Sequence, residues 1–225
     1  MVTASRKRAY QDGCAVAHAL DIIGDRWALP IMRELMLGPK RFTDLRAGLP
    51  GISANVLTQR LDELEAQSIV IRRRLPPPAA SQIYDLTDWG RESEILFRVL
   101  GRWACRSPTI QPGKPMSQVS VILSLRTMID RSAIGDMDAT IGLHLGEEQF
   151  RATLRHGDFT IDRGEAAGAD VILSGDPNAL VAVIYGGASF ADVALTIEGD
   201  QALADRFVRL FPLPPKAPST VADPS

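Results

Sequence analysis

The chain has 225 residues, 45% of them hydrophobic and 23% charged, with a formal net charge of −2. That make-up suits two modest cores and excludes a collagenous, low-complexity or intrinsically disordered chain. No run of about eighteen uncharged apolar residues occurs, so no membrane-spanning helix is expected. The opening Met1-Val2-Thr3-Ala4-Ser5-Arg6-Lys7-Arg8 has basic residues with no apolar core behind them, unlike a secretory signal. Cys14 and Cys105 are too few for a disulfide framework or a thiolate zinc site. A cytoplasmic protein is the expectation.

Charge is divided unevenly along the chain. Residues 1–112 carry sixteen Lys and Arg against twelve Asp and Glu, a net of +4, whereas residues 113–225 carry nine against fifteen, a net of −6. Such an asymmetry points to a first half that meets an anionic partner. Between the halves, the stretch from Ser107 to Pro115 holds three prolines and a glycine, which oppose both helix and interior strand. The expected organisation is a domain over 1–107, a linker over 108–117, a domain over 118–215 and a frayed tail over 216–225.

In the first half, Asp12 is placed to cap a helix that carries Cys14, Ala17, His18 and Leu20 and ends at Gly24. A second helix is expected from Asp25, with Trp27, Ile31, Leu35 and Met36 on one stripe and a stop at Gly38-Pro39. A short third helix carries Phe42, Leu45 and Leu49. The fourth has Ser53 as N-cap, a buried stripe of Leu57, Leu61 and Leu64, and an opposite edge of Asn55, Thr58, Gln59 and Asp62. A strand-like run, Ile69 to Arg74, ends in three arginines. After the tip Pro76-Pro77-Pro78-Ala79-Ala80-Ser81 comes a second strand, Ile83 to Leu86. This is the order of a winged helix-turn-helix. There, the polar edge of the fourth helix would enter the major groove, where Asn, Gln and Thr can bond base edges. The hairpin arginines would meet phosphates or the minor groove.

The motifs Cys14 to Trp27, Ile31-Met32-Arg33-Glu34-Leu35, Gly38-Pro39, Arg41 to Leu45, Gly51-Ile52-Ser53, Leu57 to Leu64 and Tyr84 to Gly90 occur in order. Together they resemble the HxlR family of MarR-like bacterial transcriptional regulators over residues 10–105. The resemblance implies a homodimer on double-stranded operator DNA. Candidate DNA-contacting residues are Arg41, Thr43, Ser53, Asn55, Thr58, Gln59, Arg60, Arg72, Arg73 and Arg74. A helix capped by Thr87 carries Ile95, Leu96, Val99, Leu100 and Trp103; the resemblance implies a dimer contact there, shared with the first helix. Cys14 matches the position at which some family members sense oxidants, which leaves a thiol-based redox role as an alternative.

The second half begins with a helix over 118–133, with Val121, Ile122, Leu125, Met128 and Ile129 facing inward. The period then changes to two, with Ile141, Leu143 and Leu145, then Phe150, Ala152 and Leu154, then Phe159 and Ile161, and then Ala169, Val171 and Leu173 facing inward. Asp176-Pro177 opens a helix ended by Gly186-Gly187, and a last strand and helix follow. The fold class is α+β, with an antiparallel sheet in this domain. The marks Ala169 to Asp176 and Thr196 to Asp200 resemble the sterol-carrier-protein type-two-like domain. That likeness implies an apolar tunnel and a small hydrophobic ligand, which leaves a lipid-binding protein as a further alternative. His144 and His156 beside turn carboxylates read as solvated residues. With no Gly-x-Ser-x-Gly elbow, phosphate loop or HExxH, neither enzyme activity, cofactor nor metal is expected.

Overall fold

A computed structural model describes residues 9–78, 80–111 and 113–218. The basic octapeptide, the wing-tip Ala79, the linker's Pro112 and tail residues 219–225 lie outside the described residues. The chain divides into two units between Ser93 and Glu94.

The first unit comprises α1 (Ala15–Ile23), α2 (Ala28–Leu35), β1 (Lys40–Arg41), α3 (Phe42–Ala47), α4 (Ala54–Ala66), β2 (Val70–Arg74), β3 (Gln82–Leu86) and α5 (Asp88–Glu92). The helical stripes pack as their spacing dictates, with Ile31, Leu35, Leu45, Leu57 and Leu61 fully buried in one core. Three local details differ from expectation. Asp12 is not the N-cap of α1; Cys14 is, and the Asp12 carboxylate accepts from its N–H at 2.9 Å. Likewise α2 begins at Ala28, because the Asp25 carboxylate takes the Trp27 N–H (3.0 Å) and forms a turn ahead of the helix. A third strand, β1, pairs with Ile83 and Tyr84, so the hairpin is part of a three-stranded sheet ordered β1-β3-β2.

The helix expected after Thr87 is two helices. Thr87 does cap the first, its Oγ1 accepting from the Gly90 N–H at 3.0 Å. Ser93, whose hydroxyl donates to the Gly90 carbonyl (2.6 Å), caps its end. Gly90 leaves room for the neighbouring chain: a Cβ there would stand 2.3 Å from the Ile69 carbonyl oxygen.

The second unit contains α6 (Glu94–Cys105), α7 (Gln118–Met128), β4 (Ala139–Leu145), β5 (Glu148–Arg155), β6 (Asp158–Arg163), β7 (Val171–Gly175), α8 (Pro177–Gly186), β8 (Leu195–Gly199) and α9 (Gln201–Val208). The chain is α+β, as expected. Its second sheet is ordered β6-β5-β4-β7-β8, and every pairing is antiparallel except β4 with β7. That one parallel pair arises because β6 runs in the direction of β4, and the chain then crosses the sheet before laying down β7. The crossing segment lies against Gly142, where a Cβ would be 2.7 Å from the Ala166 carbonyl oxygen.

Helix α7 is apolar on more than one side and is buried accordingly, from Val119 through Met128. It ends at Met128, short of the expected 133. Phe207, fully buried on α9, meets Phe211 edge to face at 5.1 Å, and Phe211 meets Phe159 at 5.6 Å. Arg126 on α7 ties α6 to the sheet: it pairs with Glu94 (3.0 Å) and Asp162, and donates to the Ile161 carbonyl. Lys216 and Ala217, where the tail was expected to begin, bond the end of α6 through the Cys105 and Arg106 carbonyls (2.9 and 2.7 Å).

Candidate nucleic-acid interface

Helix α4 stands at the centre of the candidate interface. Its N-cap, Ser53, accepts from the Val56 N–H at 3.3 Å, and its first turn contains no acidic residue. No carboxylate of that turn offsets the N-terminal dipole, and the end of the helix favours an anion. Replacing Ser53 by alanine is expected to cost about 0.5–2 kcal/mol, read as a fall in the urea midpoint of the first unit. Leu57, Leu61 and Leu64 hold the helix to the core, which leaves Asn55, Thr58 and Gln59 exposed along one edge. The Gln59 amide donates to Glu63 at 3.0 Å. Ser53 itself is also exposed.

Arg41 and Thr43, at the start of α3, are exposed, with the Thr43 hydroxyl donating to the Asp44 carboxylate at 3.1 Å. Arg60 is half-buried and turned inward, paired with Asp25 at 3.2 Å and with Glu63. The hairpin arginines are all exposed but differ in partners. Arg72 pairs with Asp62 and with Glu65 (2.9 Å) and lies over the Tyr84 ring at 5.5 Å. Arg73 pairs with Asp85 at 3.0 Å. Among the described residues Arg74 donates a single long bond, 3.3 Å, to the Ala80 carbonyl. Among the described residues, no carboxylate lies within ion-pair distance of Arg41 or Arg74.

Three buried charges among the described residues lie outside the expected set. Glu34 is 0% exposed and pairs with Lys40, itself 8% exposed, at 3.0 Å and with Arg33 at 3.0 Å. Asp85, 3% exposed, accepts from Arg73 and Arg91 and from the Leu86 N–H. A signal for Glu34 was present: it follows Ile31 by three residues and therefore lies on the buried stripe of α2.

Cys14 is exposed at the start of α1, and Cys105 is half-buried in the other unit. Burial pushes the Cys105 thiol pKa up, against the lowering effect of Lys216. Among the described residues no group of three His, Cys, Asp or Glu is placed to hold a metal ion, and no helix is long and apolar enough to cross a membrane.

A short helix, a turn, a capped helix with a polar edge and a three-stranded sheet with an arginine arm define a winged helix-turn-helix protein. Residues 22–109 match the HxlR-like helix-turn-helix family, and residues 122–212 match the SCP-2 sterol transfer family. Over 86 residues the chain is 40% identical to the HTH-type transcriptional regulator YodB of Bacillus subtilis, covering 38% of this chain and 77% of that one. Over another 86-residue alignment it is 36% identical to the uncharacterized HTH-type transcriptional regulator YvaP of the same organism, covering 38% and 80%. The solved reduced form of YodB aligns over 45% of this chain and 98% of that one, at 36% identity and a TM-score of 0.39, too low a score to add weight. The chain belongs to the HxlR-like helix-turn-helix family, and its function is that of a transcriptional regulator of that class.

Proposed function

We propose that the chain binds operator DNA as a homodimer and that its second unit takes a small hydrophobic effector. In this reading the N-terminal half of α4 enters the major groove, with Asn55, Thr58 and Gln59 toward base edges. Arg41, Arg74 and the Ser53 end of α4 meet the phosphates. The observation that carries the reading is the edge of α4: three hydrogen-bonding side chains held outward by a fully buried leucine stripe.

Dimerisation is supported by α6. No residue of it is buried, and Ile95, Leu96, Val99, Leu100 and Trp103 (74% exposed) present an apolar face. Two reading helices must meet grooves about 34 Å apart, which a dimer provides. The SCP-2 match supports an apolar effector, which would change operator affinity by its differential binding to two states of the dimer. That match also favours a second reading, a lipid carrier whose first unit only dimerises.

A gel-shift series over several salt concentrations, on the upstream region of the chain's own gene, separates the two readings. The regulator gives specific retention that falls steeply with salt; the carrier gives only non-specific binding. Gln59→Ala is expected to cost about 1–3 kcal/mol of discrimination at one base-pair position and little elsewhere, as read on operator variants. An equal loss on every variant would contradict base reading by Gln59.

A further inference from the structure

The three consecutive arginines of β2 occupy three different environments, and the difference divides their labour. Successive strand residues point to opposite faces, so Arg72 and Arg74 share the face of Tyr84 and Gln82, while Arg73 shares that of Asp85. On the first face, Arg72 engages two carboxylates of α4, Asp62 and, at 2.9 Å, Glu65. Its guanidinium also lies over the Tyr84 ring, 5.5 Å from its centre. A guanidinium held between two carboxylates has its charge compensated and its position fixed, which weakens its pull on a phosphate.

We propose that Arg72 is a positioning residue, a latch that sets the hairpin against α4, and that Arg74 is the arginine of the arm that meets the DNA backbone. The assignment rests on the DNA-binding reading above. Asp62 shows why the latch matters: it lies on the stripe that carries Asn55, Thr58 and Gln59, where an uncompensated carboxylate would be repelled by phosphates. Arg72 supplies the countercharge and, in the same contact, fixes the angle between helix and arm. Arg60 does the corresponding work on another side of α4, joining it to Asp25 in the turn ahead of α2 (3.2 Å) and to Glu63. With both latches closed, base edges and backbone are engaged in one geometry. Arg73 is occupied by buried Asp85, whereas Arg74, among the described residues, has only its 3.3 Å bond to the Ala80 carbonyl.

Ion pairs this exposed contribute little to global stability, so a melting temperature is the wrong readout. The salt dependence of operator affinity and the amide exchange of the hairpin are the right ones. One phosphate contact contributes about 0.9 to the slope of log affinity against log salt. Arg74→Gln is expected to flatten the slope by about one and leave hairpin exchange unchanged. Arg72→Gln is expected to leave the slope within a few tenths, to speed exchange over β2 and β3 by roughly threefold or more, and to lower the ratio of operator to non-specific affinity. Asp62→Asn should reproduce the faster exchange, and adding it to Arg72→Gln should change little further.

A slope loss of about one for Arg72→Gln overturns the assignment, whatever the exchange shows. Unchanged hairpin exchange in Arg72→Gln overturns the latch. A wild-type protein whose DNA retention does not depend on salt would sink the DNA reading instead, and the exchange arm would still decide the latch.

Discussion

Replacing Glu34 by alanine is expected to lower the stability of the first unit by about 3–5 kcal/mol. The reason lies in the environment of its partner. Lys40 is 8% exposed, and its ammonium sits 3.0 Å from the Glu34 carboxylate. Arg33, the other cation on that carboxylate, is about a third exposed and can turn to water; Lys40 is buried, at the start of β1, where the chain pairs with Tyr84. Gly48 closes the site from the end of α3, where even a Cβ would stand 2.6 Å from the carboxylate oxygen. Alanine thus removes the carboxylate from a buried ammonium and leaves a cavity as well. Urea unfolding checks the expectation, and a loss below about 1 kcal/mol would mean that water reaches Lys40. Changing Glu34 and Lys40 together to methionine is expected to recover most of the loss, since removing both charges removes the desolvation penalty.

Phe207→Ala is expected to cost the second unit about 3–5 kcal/mol. The ring is fully buried on α9 and packs edge to face on Phe211, which in turn packs on Phe159 of β6. Truncation removes both the apolar area and one member of this aromatic series, and the surroundings cannot collapse freely around a helix held against the sheet. The urea midpoint of the second unit should fall while amide protection in α4 stays unchanged. A midpoint shift worth less than about 1 kcal/mol would show that neighbouring side chains refill the space.

Much of this architecture was legible because burial writes a period into a sequence. Leu57, Leu61 and Leu64 announced α4 and its buried side, and Ser53 marked its start. The alternation through Ile141, Phe150 and Phe159 announced the strands of the second sheet. What escaped has physical reasons. The strand Lys40–Arg41 is too short to show any alternation, and its pairing with β3 is set by the hairpin rather than by its own residues. The break at Ser93 was invisible because it depends on a side-chain bond to the Gly90 carbonyl, not on a glycine or proline. The β4–β7 parallel pairing is fixed by a crossing that periodicity does not record.

The candidate interface was legible in type and not in detail. A run of three arginines beside a capped helix pointed to an anionic partner, but charge counts cannot tell a paired guanidinium from an open one. Asp62 and Glu65 on α4, with Asp85 on the next strand, decide that question, and all three lie on elements other than the strand whose arginines they engage. Arg60, another of the candidate DNA contacts, stands one residue past Gln59, and one step along a helix turns a side chain by about 100°, here toward Asp25.

The most direct test replaces Gln59 with a photoreactive side chain and maps its cross-links on a duplex that the protein retains in a salt-sensitive, sequence-specific way. Cross-links to bases in two half-sites about one helical turn apart are expected. Specific binding that persists without any cross-link to DNA from position 59 would mean that this edge of α4 faces away from the duplex.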